Sequence, residues 1–507
     1  MKKLAIIEMD IRTCRMIIVE YTEKALINIK EDIIEPINLW CDIEQDNVIK
    51  PARTQEILQL LKSFKKTMEL KGVEEVVGYS TQILKTVKNH RSFIEELHNA
   101  TGIRFDVLSD DELYKSIHLA NAYTIDPIKA NVIYIENEST HFLKYNRRNI
   151  LESCSFDFGP YTIAKLFEES ELNPEEKMQK MVEFAKEQFG KSDFFKCEED
   201  DEFKIIGMGR SFDIAGKLCR MGTRSALNLE HNYKLSETSF EKAYNFVRVL
   251  DISKAQRIKG LNEERADVIF GGVAIIKALF DNFELEKINV NECGIINGAV
   301  YKEMNGIFGY KPIGDIMLQS LESCNYFNDK EEYNCVALSE LALDLFEELK
   351  VLHRFSKPQR RILKIASYFA YSGKRISSYH FERNSFQILL NSNIYGATQK
   401  EILVAAFVCA SQNLDEFDIV SWARYKEFLT DSDIDVVKKL AVIIKLARLI
   451  DQSKSCDHIA CDVLGDKCIL NLIPKEDLKE SLACQLDDVK KAIPDFKKAF
   501  NKCLQVL

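Results

Sequence analysis

The sequence predicts a layered α/β fold built twice, then a helical region, then a small α+β appendage. Three observations carry that prediction. A strand-turn-strand unit opens the chain at Leu4 to Glu20, and a second opens at Asn131 to Tyr145. Behind each unit, short apolar runs alternate with stretches whose apolar residues recur every three or four positions, the pattern of strands exchanged with amphipathic helices. From about Gly314 the strand signals largely vanish and long amphipathic helices take over. Two α/β halves with matching openings imply a duplicated fold with a cleft between the halves. The implied boundaries are 1–125, 126–310, 311–455 and 456–507.

The first half begins with the apolar run Leu4 to Ile7, a polar turn over Glu8 to Arg15, and a second run, Met16 to Val19, which reads as a buried hairpin. A turn at the end of buried strands presents backbone N–H groups to an anion when glycine lets the chain come close. This turn has carboxylates and no glycine. Ala25 to Ile37 continues as strand, and Ile57, Leu58, Leu61, Phe64 and Met68 place a helix over Thr54 to Lys71. Glu74 to Tyr79 and Phe105 to Leu108 read as strands around a helix at Phe93 to Ala100. Glu112 to Ala122 reads as a helix that Ser109, Asp110 or Asp111 can cap.

The second half repeats the theme. Asn131 to Ile135, His141 to Tyr145 and Ile150 to Phe156 are expected strands, followed by helices at Pro160 to Glu168 and Pro174 to Phe189. The strand Lys204 to Met208 enters Gly209 and a helix reaching Met221. Ala266 to Phe280 and Cys293 to Met304 are helical around the strand Ile288 to Asn291. Further helices are expected over Val336 to Phe355, Gln359 to Tyr371, Ser385 to Ser392, Lys400 to Ser411 and Val436 to Asp451. Ile459 to Ile473 alternates around the turn Gly465-Asp466, and Pro494 to Leu504 reads as helix.

A chain of 507 residues, 46% hydrophobic, has material for three or four cores of about 100 to 150 residues each. It carries 69 basic against 79 acidic residues, net -10. That balance argues against nucleic acid or a membrane surface as partner, since both need a positive footprint. No apolar run approaches the roughly 18 residues that span a bilayer, and no leader pattern opens the chain, so a cytoplasmic protein is expected. The fourteen cysteines include no CxxC pair and read as reduced core residues. Cys456, Cys461 and Cys468 with His458 form the tightest group, in a spacing that fits no usual zinc pattern. No HExxH, GxxxxGK[ST], GxSxG or GxGxxG signature occurs.

Several segments, in order, carry a family resemblance. Ser80 to Asn89, STQILKTVKN, is similar to ATSALREAKN. Leu261 to Lys277, LNEERADVIFGGVAIIK, is similar to GLxxERADxIxxGxxIL. His231 to Ser236, Glu292 to Gly298, Leu341 to His353 and Leu446 to Ser455 match further segments. The chain thus resembles the Ppx/GppA family of exopolyphosphatases and guanosine pentaphosphate phosphohydrolases. The resemblance implies two actin-like (ribonuclease-H-like) domains, an all-α HD-like domain, a small C-terminal α+β domain and a homodimer. It also implies hydrolysis of the terminal phosphate of inorganic polyphosphate or pppGpp with Mg2+. That chemistry needs donors to the phosphate oxygens, a metal to offset charge and a carboxylate to orient water.

In register with the family's DIGSNS loop stand Glu8 to Thr13, EMDIRT, which make Glu8 the expected catalytic and metal-side carboxylate, with Arg12 and Thr13 at phosphate. The family's DIGGGSTE corresponds to Tyr134 to His141, YIENESTH, where Ser139 and Thr140 survive as phosphate contacts. GTGGT corresponds to Gly207 to Ser211, GMGRS, with Gly209 and Arg210 expected at phosphate, and Lys85 stands where the family has arginine. SGxEEA corresponds to Ser109 to Leu113, SDDEL. Glu112 is the candidate base, Leu113 is the competing register, and capping of the following helix is an equal reading of Glu112.

Loss of glycine matters because side chains hold an anion away from backbone N–H groups. Glu136 and Glu138 within about 4 Å of a phosphate each add repulsion of roughly 1 kcal/mol in water, or about 4 kcal/mol at an effective dielectric of 20. The family's HD positions correspond to Ala370-Tyr371, the region of His380, and Gln412, a set with one histidine and no metal-binding partner for it. The expectation is a phosphatase of reduced activity. The alternative is a catalytically silent relative that binds (p)ppGpp or polyphosphate or regulates a partner.

Overall fold

The structure, a computed structural model, describes residues 1–126, 128–168, 170–194, 203–258, 266–309, 314–328, 334–452 and 454–507. They form two compact units: Met1–Arg224 with Glu230–Ile316, and Ser225–Leu229 with Met317–Leu507.

The first unit holds two sheets of the same design. β1 (Lys2–Met9), β2 (Thr13–Tyr21), β3 (Ile27–Pro36), β4 (Glu75–Ser80) and β5 (Phe105–Val107) lie in the order β3-β2-β1-β4-β5. The second sheet uses β6 (Lys129–Ile135), β7 (Thr140–Asn146), β8 (Ile150–Phe156), β9 (Lys204–Met208), β10 (Tyr233–Ser236) and β11 (Lys287–Asn291), in the order β10-β11-β9-β6-β7-β8. In each, three strands form an antiparallel meander whose first strand pairs parallel with a fourth, which in turn pairs parallel with a fifth: β1-β4-β5 in the first sheet and β6-β9-β11 in the second. The second sheet is therefore the first repeated, with β10 added at its edge. A meander needs only turns, whereas parallel neighbours need helical crossovers. Pro51–Lys71 and His90–Thr101 supply them in the first half, and Pro174–Phe189 and Arg210–Thr223 in the second.

Strand alternation decides which layer each side chain joins. Leu4 and Ile6 pack with Leu113, Ile117 and Ile295, while Ala5, Ile7 and Met9 pack with Ile57, Leu61 and Phe64. β6 divides the same way, with Val132 and Tyr134 in the first cluster and Ile133 and Ile135 against Ile163, Met178 and Ile275. A one-residue slip of β1 would exchange its two faces and set the side chains of each core against the packing of the other. The cluster common to both halves is built on the helices Asp110–Ala122 and Ile295–Phe308. These cross so closely that a Cβ on Gly298 would lie 2.0 Å from the Ser116 carbonyl oxygen. That crossing explains the glycine ending ECGIING.

The second unit packs helices and a small sheet around one core. β12 (Cys456–Leu464), β13 (Lys467–Pro474) and β14 (Cys503–Val506) lie in that order, and Leu470 and Phe496 share a cluster with Leu345, Leu363, Val404 and Leu440. No helix among the described residues is long and apolar enough to cross a membrane.

Several expectations need correction. The first turn is only Asp10 to Arg12, because Glu8 pairs with Arg15 across the hairpin and with Tyr79 on β4. Pro494 to Leu504 is not one helix: Ile493–Phe500 ends at Asn501, whose φ of 52° is left-handed, and the chain re-enters as β14 parallel to β13. Val336 to Phe355 divides into Cys335–Glu348 and Lys350–His353. The helices Leu39–Asp46, Glu237–Val247, Ile316–Asn328 and Lys479–Lys490 went unforeseen. The LNEER stretch, 261–265, lies outside the described residues; the helix it leads into runs Ala266–Phe283.

Candidate functional site

The two hairpin turns meet at equivalent ends of the duplicated halves. Each closes with the same hydrogen bond, from the Asp10 amide to the Thr13 carbonyl at 2.9 Å and from the Glu136 amide to the Ser139 carbonyl at 2.9 Å. The Asn137 side-chain amide donates to Asp10 Oδ2 at 2.8 Å, joining one turn to the other. Asp10 Oδ1 takes the Ile11 amide at 2.7 Å and the Thr81 hydroxyl at 3.4 Å. The Asp10 carboxylate thus occupies the amide of the next residue.

Carboxyl groups crowd this point. Burial pushes Glu8 up to about 8; Asp10 and Glu136 add to the rise, and Arg15 opposes it. Arg15 itself is held by Asp32 through two bonds of 2.8 and 2.7 Å. Burial likewise raises Glu138 well above the ordinary carboxyl range, with Asp10 and Glu136 adding and Arg12 opposing, and Glu138 Oε1 is buried without a hydrogen-bond partner. The shift favours the protonated form of Glu8 near neutral pH.

Glu136 is committed to its own turn. It accepts from the Tyr134 hydroxyl at 3.2 Å and the Ser139 hydroxyl at 3.1 Å, and Ser139 Oγ lies 2.8 Å from His141 Nε2. Ser, His and Glu here do not make a nucleophilic triad. In a triad the acid orients the imidazole nitrogen remote from serine, whereas Glu136 approaches Nε2, at 3.6 Å, and His141 Nδ1 is buried without a partner.

Of the remaining expected contacts, Gly209 and Arg210 reach the second turn, Arg210 lining a small pocket with Glu136 and Asn137, and the others are dispersed. Arg12, only 7% exposed, has its guanidinium 4.8 Å from the ring centres of both Trp40 and Tyr161. Thr13 is half-buried at the start of β2. Thr140 is fully buried, with its hydroxyl on the Phe158 carbonyl at 2.9 Å, and Lys85 donates to the Leu108 carbonyl at 2.9 Å. Gly209 does reach the second turn: its φ is 104°, and a Cβ there would lie 2.5 Å from the Ile135 carbonyl oxygen. It caps the helix that Arg210 begins, and Arg210 is exposed, with nearby Asp213 pushed up to about 7 by burial.

Glu112 takes the capping geometry. Its Oε2 accepts from the Ser109 amide and hydroxyl, each at 3.0 Å, while its own amide donates to Ser109 Oγ at 3.3 Å. Oε1 meets Lys302 at 3.3 Å. The Ser109 amide is the largest cause holding this carboxyl below its ordinary range, which disfavours proton abstraction. Leu113, in the competing register, is buried in the core.

A divalent cation fits this set poorly. Among the described residues no three His, Cys, Asp or Glu side chains are grouped to hold one, and the oxygens of Asp10 and Glu136 already carry protein donors. In the C-terminal sheet, Cys461 and Cys468 are 3.2 Å apart, but Cys456 turns to the His458 carbonyl at 3.3 Å. Where HD positions were expected, Gln412 accepts from Arg448, whose guanidinium lies 5.1 Å from the Tyr371 ring and 4.6 Å from the Phe381 ring and meets Glu382 at 3.5 Å. A fixed positive charge there repels a second cation.

Sequence reasoning missed Asn137, Trp40, Tyr161 and Lys302. The pairing of Arg15 with Glu8 was missed as well, because the sequence reading placed both inside the turn rather than opposite each other on its strands. The others come from elements distant in sequence.

Fold and sequence comparisons agree on the class. The Ppx/GppA phosphatase family matches residues 18–306, more than half of the chain and starting beyond the first turn. The chain belongs to that family. Among curated relatives, it is 26% identical over 312 residues to a bifunctional 3-dehydroquinate synthase/phosphatase of Fusobacterium nucleatum, covering 58% of this chain and 46% of the relative. It is 21% identical over 321 residues to a guanosine-5'-triphosphate,3'-diphosphate pyrophosphatase of Pseudoalteromonas atlantica, covering 62% and 60%. The alignments thus span only about half to three-fifths of those relatives. Among solved structures, the Ppx/GppA family member of Aquifex aeolicus superposes with a TM-score of 0.53 at 19% identity, over 61% of this chain and 99% of that one. An exopolyphosphatase of Cytophaga hutchinsonii gives 0.53 at 18%, over 60% and 98%.

Proposed function

We propose that this chain is a Ppx/GppA-family protein in which hydrolysis of terminal phosphates, from polyphosphate or pppGpp, is lost or reduced to a trace, leaving a regulatory or binding role. One observation carries the reading: the Asn137–Asp10 bond at 2.8 Å ties the two phosphate turns together, with an Asp10 oxygen on the Ile11 amide. A phosphate entering there must break that bond and displace a carboxylate. Each close like-charge contact costs roughly 1–4 kcal/mol, depending on the local dielectric. Glu112, the expected base, is instead held by Ser109 and Lys302. By the same resemblance, we read the helices of the second unit as an HD-like domain whose cation is replaced by Arg448.

The test is phosphate release from long-chain polyphosphate and from pppGpp with magnesium, beside a hydrolytically active family member. Release at or near background is expected from this chain. Turnover at an ordinary enzymatic rate, about 1 per second or faster, abolished in Glu112→Gln, overturns the proposal.

A further inference from the structure

A cavity of about 720 Å3 opens beside the first turn and shares none of the carboxylates described above. Its size is that of a small-molecule site, about 300–1,000 Å3. Trp40, Tyr161, Phe167, Met181, Leu250 and Phe270 give it apolar, largely aromatic walls. Trp40 and Tyr161 meet edge to face, 5.9 Å between ring centres at 63°, and Arg12 lies against the same two rings. One ring comes from each half of the duplicated unit.

The charged groups of the lining define the ligand further. Glu44, Glu168 and Asp251 stand against Lys165 and Lys177. Lys165 pairs with Glu44, and Lys177 donates to the Glu168 carbonyl at 3.0 Å. Asp251 accepts from the Lys254 amide at 2.8 Å and the Ser253 hydroxyl at 2.7 Å. Both lysines already have protein partners and the lining's acids outnumber them three to two, so the walls hold no surplus positive charge that would select an anion. Aromatic walls favour a planar ring that stacks or meets them edge-on.

We infer that this cavity is a binding site for an uncharged planar aromatic small molecule, which packs against Trp40 and Tyr161 and, through them, bears on Arg12 and the first turn. The inference does not depend on whether the chain hydrolyses phosphate.

Two dyes that differ by one sulfonate test it: uncharged N-phenyl-1-naphthylamine and anionic 8-anilino-1-naphthalenesulfonate. The chain has two tryptophans, Trp40 in the cavity and Trp422 in the other unit. Titration of the full chain with the uncharged dye is expected to saturate, with energy transfer from tryptophan that Trp40→Phe removes and Trp422→Phe preserves. The anionic dye is expected to bind about tenfold more weakly. Ala164→Trp, which fills the cavity, is expected to abolish saturable binding, and Phe167→Leu, a milder change, to weaken it severalfold. Unsaturable binding, energy transfer that survives Trp40→Phe, equal affinity for the two dyes, or indifference to both cavity variants overturns the inference.

Discussion

Replacing Glu8 by Gln removes a charge that the fold holds at a cost. The free carboxyl of Glu titrates near 4.5, and in the folded chain burial, Asp10 and Glu136 carry it to about 8. Between those values the folded state binds the proton that the unfolded state has released. Stability therefore falls as pH rises through this window, and the full cost applies above about 8. At 1.36 kcal/mol per unit the ceiling is about 5 kcal/mol, and partial solvent access lowers the expected figure to about 2–5 kcal/mol. Gln keeps the shape and does not titrate. Urea unfolding followed by circular dichroism, with wild type and Glu8→Gln compared at each pH, isolates the effect because every other group is common to both. The variant is expected to match wild type within about 1 kcal/mol at pH 5 and to exceed it by about 2–5 kcal/mol at pH 9. A difference that stays constant with pH, or a variant less stable than wild type at pH 9, refutes the reasoning.

Asn137→Asp replaces the donor to Asp10 with a second carboxylate, and the melting temperature at pH 8 should drop by the equivalent of roughly 1–4 kcal/mol. Gly209→Ala sets a Cβ 2.5 Å from the Ile135 carbonyl at a φ of 104°; a loss of about 1–3 kcal/mol or more in denaturant unfolding is expected. Glu112→Ala removes the carboxylate half of the capping box and the Lys302 pair, costing about 1 kcal/mol at pH 7. Because that carboxyl is held below its ordinary range, the difference should shrink as pH falls below 4. Phosphate release should be unchanged in this variant, and a selective loss of turnover would restore Glu112 to a catalytic role.

How much of the site was legible depends on how local its causes are. Ser109 and Glu112 are three residues apart, so a capping box could be read directly from their spacing. The glycine loss at Tyr134 to His141 was equally plain, as was the pairing of strands and helices in each half. The fate of Arg12 was not, because Trp40 follows β3 and Tyr161 begins a helix of the other half. Nor was the break at Asn501, where helix-like composition runs straight through a left-handed residue and only pairing with β13 makes the remainder a strand.

The sequence by itself determined the repeated α/β design, the family, and the absence of glycine from the two hairpin turns. These follow from period, order and residue type, all properties of neighbours along the chain. Tertiary structure alone decided that Asn137 reaches Asp10, that Glu8 is raised by Glu136 as well as by burial, and that Trp40 and Tyr161 share one guanidinium and one cavity. Each is a meeting of groups 120 or so residues apart, and their energies depend on separations of a few ångströms and on local dielectric, which the packing of the two halves sets.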